Sequence, residues 1–119
     1  MQNRNEENKY QISLDRLKGE VFGDGFATVF CDRFLPKVVE FSSAYKEALL
    51  NYDTTTLSEI VHTMTSSLRF LGLDEFVDLI NRYRMVEFRD STALHKLANE
   101  VEAFCRALEL RLKEQLFDQ

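Results

Sequence analysis

Apolar residues recur at three- and four-residue spacing through most of this chain, with charged and hydroxyl residues between them. That is the period of amphipathic helices, each burying one stripe. The longest regular stripe is Leu94, Leu97, Ala98, Val101, Phe104, Leu108, Leu112 and Leu116, which predicts a final helix capped by Asp90 or Ser91. Ahead of it, Leu57, Ile60, Val61, Met64, Leu68 and Leu71 share one side of another helix, after the break at Asn51-Tyr52-Asp53. Asp53 can cap that helix, or Thr56 can, with Glu59 completing a capping box. It should stop at Gly72, a good C′ residue, and Asp74 should cap the next helix, with Phe76, Val77, Leu79, Ile80 and Tyr83 as its apolar positions. So short a link brings the two helices into antiparallel contact.

Toward the N-terminus, Asp24 can cap a long helix whose apolar positions include Phe26, Val29, Phe30, Phe34, Leu35, Val38, Val39, Phe41, Tyr45, Ala48 and Leu49. Pro36 lies inside that pattern and predicts a kink around Asp32 to Phe34, or alternatively two helices parted there. Before it, Ile12, Leu14, Leu17 and Val21, punctuated by Gly19, Gly23 and Gly25, suggest a brief first helix. Residues 1–9 hold no apolar residue after Met1 and read as a flexible tail, so the domain is expected over 10–119. The predicted fold is all-α: an antiparallel up-down-up-down four-helix bundle with a short extra N-terminal helix.

Composition supports one helical domain and narrows its partners. The 119 residues, 45% hydrophobic, suffice for a core without staples, and four Gly, one Pro and no Trp favour helix. A net charge of −5 argues against nucleic acid, which needs a basic face. Cys31 and Cys105 stand far apart without CxxC spacing, which suits reduced, structural thiols in a cytoplasmic protein. No apolar run approaches the roughly 18 to 20 residues that span a bilayer, and the first nine residues are unlike a hydrophobic leader, so no membrane insertion is expected.

His62 is the residue that invites chemistry. On a helix advancing about 100° per residue it points well away from the apolar stripe, toward solvent. Its own face holds Ser58, Thr65, Ser66 and Arg69, small hydroxyls and one cation, which suit an anionic group such as a phosphoryl. By pattern alone an exposed histidine needs no explanation, and His95 reads as structural or solvent-exposed. Glu59 and His62 also spell the E-x-x-H of carboxylate-bridged di-iron bundles. That site needs a second copy of the motif and further inward glutamates, and this chain has no second copy, so no metal is expected. Phe26, Phe30, Phe34 and Phe41 read as core, with aromatics at the edges available for a docking patch. Glu100, Glu102, Glu109 and Glu114, alternating with Lys96, Arg106, Arg111 and Lys113, read as a solvated face.

The run from His62 to Leu73 resembles the signature of histidine-containing phosphotransfer (HPt) domains, typically H-T-L-K-G-S/A-A-x-x-L-G. His62, Thr63, Leu71 and Gly72 match it, Met64 stands for Leu, and Ser67 holds the small position. Phe34-Leu35-Pro36 in the preceding helix, and a histidine nine residues after Asp53, extend the resemblance over roughly residues 12 to 117. The resemblance implies a phosphorelay intermediate. The histidine Nε2 would take a phosphoryl group from a receiver-domain aspartate and surrender it to another, without ATP-dependent kinase activity, metal or cofactor of its own. Mg²⁺ comes from the receiver, and the implied partners are the receiver domains of hybrid sensor kinases and response regulators, met by a monomer. Two positions depart from the pattern. Thr65 replaces the usual Lys three residues after the histidine, and Ser66 replaces the Gly that follows it. Arg69, seven residues after His62 at nearly the same helical angle, is the candidate for the missing cation. The alternative is a degenerate HPt-fold adaptor that binds receivers or a kinase without accepting phosphate.

Overall fold

A computed structural model describes Tyr10, residues 12–17, Gly23 and residues 25–117, and within them the chain is all-helical, with no strand. Four α-helices follow one another: α1 (Phe26–Leu50), α2 (Thr54–Phe70), α3 (Asp74–Ile80) and α4 (Ser91–Phe117). Residues 1–9, expected as a tail, Gly19 and Val21 of the expected first helix, and Asp24, expected as a cap, lie outside the described residues. What is described of the first segment is one 3-10 turn, Asp15–Leu17, rather than an α-helix. Its geometry is set locally, because the Asp15 N–H donates to Ser13 Oγ (3.2 Å) and the Leu17 N–H to the Leu14 carbonyl (3.0 Å). Ile12, Leu14 and Leu17 are nonetheless buried, and Arg111 Nε on α4 donates to the Ile12 carbonyl (3.0 Å).

α1 begins after Gly25, whose φ of 82° lies in the left-handed region, and runs unbroken through Pro36, so two separate helices do not form. Proline costs a helix interior about 3 kcal/mol by removing a donor and crowding the preceding turn. Here Asp32 and Pro36 both lie on the exposed side, where water can serve the Asp32 carbonyl, while Phe34, Val38 and Phe41 remain buried on the other. Along its buried side α1 packs on α4: Ser42 lies beside Cys105, and Lys46 Nζ lies 3.2 Å from Glu102 Oε2. α1 also meets α2, and α3 is held between α2 and α4. Aromatics knit the layers, with Phe76 stacked on Phe104 (3.9 Å) and edge-on to Phe41 (6.4 Å). Cys31 and Cys105 are free and buried, and burial pushes the Cys105 thiol up to about 12.

The caps settle the choices open in the sequence. Asp53 accepts both the N–H (3.1 Å) and the hydroxyl (2.6 Å) of Thr56, so it caps α2 and no Thr56–Glu59 box forms. Those two bonds hold its carboxyl below the usual range. Asp90 caps α4 by accepting the Ala93 N–H (3.0 Å). Asp74, expected as the cap of α3, is instead its first helical residue, and Leu73 occupies the cap position without a side-chain bond. The cause is the end of α2, where Gly72 (φ 77°) donates to the Arg69 carbonyl and Leu73 to the Leu68 carbonyl, leaving no spare residue between the helices. Asp74 still favours the positive end of α3. α3 stops at Ile80, and Tyr83 is buried from the 3-10 turn Arg82–Met85 that follows. Asn81 Nδ2 takes the Val77 carbonyl (2.8 Å) and the Tyr45 hydroxyl takes that of Ile80 (3.0 Å), so the last carbonyls are answered without another turn. No helix among the described residues is long and apolar enough to cross a membrane.

Candidate functional site

α2 forms because Asp53 fixes its first turn, Gly72 terminates it, and Leu57, Val61, Met64 and Leu68 bury one continuous stripe between. His62 is carried on the far side of that stripe and is exposed. Ser58 and Ser66, one turn before and after it, are exposed too, as is Arg69 two turns on. Side chains lean toward a helix N-terminus, so from this position an arginine can reach back along the face that carries the imidazole.

The hydroxyls around His62 are not equivalent. Thr65 is half-buried and donates its proton to the Val61 carbonyl (2.7 Å), and Thr63 likewise to Glu59 (3.0 Å). Thr65 can therefore only accept in this rotamer, whereas an anionic group on His62 needs donors. Ser58, Ser66 and Arg69 are the remaining donors of this face. The sequence placed Thr65 in this face without revealing that the backbone would claim its proton.

The far end of α2 is tied to the first segment. Arg16 Nη1 donates to the Arg69 carbonyl (3.1 Å), and a Cβ added at Gly72 would sit 2.8 Å from Arg16 Nε. Nothing in the local sequence signals this contact between residues 53 apart. It anchors the turn of helix from which Arg69 projects.

On a side of α2 that His62 does not line, α1 and α2 enclose a groove. Phe34, Phe41, Ile60 and Met64 supply its apolar surface, and Lys37, Glu40, Glu59 and Thr63 its rim. Toward the end of α2 it continues into an aromatic cluster, with Phe70 5.5 Å from Phe30 and 6.2 Å from Phe26, and Phe30 5.4 Å from Phe34. Phe34 and Phe41 are core, Phe26 and Phe30 half-buried, and Phe70 37% exposed. Phe70 was not singled out in the sequence, though it lies off the buried stripe on the α1 side. His95 is exposed on α4, and its Nδ1 lies 2.8 Å from the Ser91 carbonyl, far along the chain from the α2 face. No group of three or more His, Cys, Asp or Glu that could hold a metal ion occurs among the described residues. The chain matches no protein-family model, no curated protein and no solved structure.

Proposed function

We propose that this chain is a cytoplasmic histidine phosphotransfer protein, an HPt-like phosphocarrier working between receiver domains through His62. The observation that carries the reading is the face of α2: an exposed imidazole flanked by Ser66 and Arg69, opposite a buried stripe, with an apolar groove between α1 and α2 on another side of the same helix. In the reaction, His62 Nε2 attacks the phosphorus of a receiver's aspartyl phosphate. The N–P bond forms as the P–O bond breaks, and the aspartate leaves as carboxylate. The second transfer reverses these roles with another receiver. Each receiver supplies the Mg²⁺, so the chain contributes a reachable nucleophile and a docking surface and needs no cofactor. An antiparallel up-down-up-down bundle, acting as a monomer, fits this role. In its support, Ser42 and Lys46 of α1 lie beside Cys105 and Glu102 of α4, so that numbers rise along one helix as they fall along the other.

Ser66 and Arg69 take the place of the lysine that the HPt pattern carries. The Ser66 hydroxyl, one turn from His62, donates to a phosphoryl oxygen, and Arg69 offsets its charge. Arg69→Ala should shorten the phosphohistidine lifetime while leaving receiver binding intact. An unchanged lifetime would remove Arg69 from the mechanism. A second reading, a degenerate adaptor that binds receivers or a kinase without accepting phosphate, is favoured by one observation: the only hydroxyl at the lysine position is spent on the Val61 carbonyl.

Transfer from a phosphorylated receiver domain separates the two, scored as acid-labile, base-stable label on the wild type and on His62→Gln. The phosphocarrier predicts label on the wild type alone. Binding without label across a panel of receivers would leave the adaptor.

A further inference from the structure

The most exposed large apolar side chains of the link between α3 and α4 are Met85, 88% exposed, and Phe88, 57% exposed. They do not ride on a slack loop. Tyr83 of the same segment is buried, the Val86 N–H donates to the Tyr83 carbonyl (3.3 Å), and the Asp90 N–H closes a turn onto the Glu87 carbonyl (3.0 Å). From the start of α2's link, the Tyr52 hydroxyl donates to the Val86 carbonyl (3.1 Å), and its ring lies 5.5 Å from that of Phe88. Side chains presented on a pinned backbone lose little freedom when they dock.

The charges of this tip are unequally satisfied. Arg82 Nη1 lies 3.3 Å from Glu100 Oε2, and Asp90 is engaged as the cap of α4. Arg84 lies over the Tyr83 ring (5.2 Å) and Arg89 over the Phe88 ring (5.3 Å), and neither is in an ion pair among the described residues. Two guanidiniums thus face outward against the single carboxylate of Glu87, in a chain whose net charge is −5. Exposed Phe and Met flanked by Arg are the residue types enriched at the centres of protein interfaces.

We propose that the tip formed by residues 82–89 is a docking site for a partner protein that offers an amphipathic helix with an apolar face edged by Asp and Glu. Met85 and Phe88 pack on the apolar face, and Arg84 and Arg89 pair with its acidic edge. This surface is independent of the His62 face and stands whether or not His62 carries phosphate. Charge complementarity selects the occupant. A second copy would oppose like guanidiniums across a two-fold axis, and a uniformly anionic lipid surface would meet the carboxylate of Glu87 along with the arginines, which the discrete acidic edge of a protein helix avoids.

The test uses the full chain, labelled with ¹⁵N and titrated with two synthetic helical peptides that share the same Leu residues, one Glu-rich and one Lys-rich. The Glu-rich peptide is expected to shift the amides of residues 82–90 and Tyr52. Met85→Asp and Phe88→Asp should each weaken it by about tenfold or more, and the double variant Arg84→Glu, Arg89→Glu should reverse the preference toward the Lys-rich peptide. The proposal is overturned by equal responses to both peptides, by shifts confined to other surfaces, or by none. Sedimentation with phosphatidylserine-containing vesicles that Met85→Asp abolishes would overturn it in favour of lipid. Concentration-dependent shifts of the tip without peptide would overturn it in favour of self-association.

Discussion

Tyr45 and Tyr52 each donate a hydroxyl to a backbone carbonyl, and the difference in their burial makes them a matched test of what holds the helices around His62. Tyr45 is fully buried, and its hydroxyl reaches the Ile80 carbonyl (3.0 Å) where α3 ends. Tyr52 is half-buried, and its hydroxyl reaches the Val86 carbonyl (3.1 Å) near solvent. Tyr→Phe deletes one oxygen at each site and leaves the ring. At Tyr45 the carbonyl loses that donor where water cannot readily enter, at a cost of about 1 to 3 kcal/mol. At Tyr52 water replaces the hydroxyl, and the loss should stay under about 0.5 kcal/mol. For a domain of this size about 1 kcal/mol moves the melting temperature by about 4 °C, so Tyr45→Phe should melt about 4 to 12 °C lower and Tyr52→Phe almost unchanged. Urea denaturation followed by circular dichroism measures both, with hydrogen exchange at Asn81 to Tyr83 as the local readout. Equal losses, or a larger loss at Tyr52, would refute the claim that a buried side-chain bond stops α3 at seven residues.

Three further outcomes follow from the same contacts. Gly72→Ala should cost about 1 to 2 kcal/mol, because a Cβ is strained at φ 77° and meets the Arg16 guanidinium; Gly72→Asn should cost less, and chemical denaturation of the pair would expose an error if Ala were the better tolerated. The Cys105 thiol is raised by burial from 9.0 to about 12, so the stability it contributes is complete below about pH 9 and is lost as pH climbs toward 12. Burial also raises Tyr45, in the same direction. Melting temperature should therefore fall through this alkaline range, less steeply for Cys105→Ala, and identical slopes would count against the assignment. Arg69→Ala should shorten phosphohistidine lifetime without loss of melting temperature, as its side chain is exposed.

What could be read from the chain was local and periodic. The stripe Leu57, Val61, Met64 and Leu68 and the rhythm from Leu94 to Leu112 are buried, because each repeats on one side of a single helix. Ile60, on the same predicted stripe, is only half-buried because it lines the groove against α1. The misreadings have two sources, a tight local turn and contacts with distant residues. Asp74 looked like a cap, but the turn at Gly72 gave that position to Leu73. The stop after Ile80 depends on a hydroxyl from α1, and the anchoring of Arg69 on Arg16 of the first segment. Neither leaves a mark in the neighbouring sequence. Pro36 predicts a kink or, alternatively, two helices parted there; the two helices do not form, and α1 runs through Pro36 with Phe34, Val38 and Phe41 buried on its other side. At His62 the face could be read from helical angle, whereas the commitment of the Thr65 proton to Val61 depended on a rotamer.

The proposed role of His62, carrying phosphoryl groups from one receiver to another, is open to a three-component relay: a phosphorylated donor receiver, an unphosphorylated acceptor receiver, and this chain in substoichiometric amount. Label should reach the acceptor aspartate with the wild-type chain and not with His62→Gln. Label arriving equally with His62→Gln, or never arriving although both receivers bind the chain, would rule that role out.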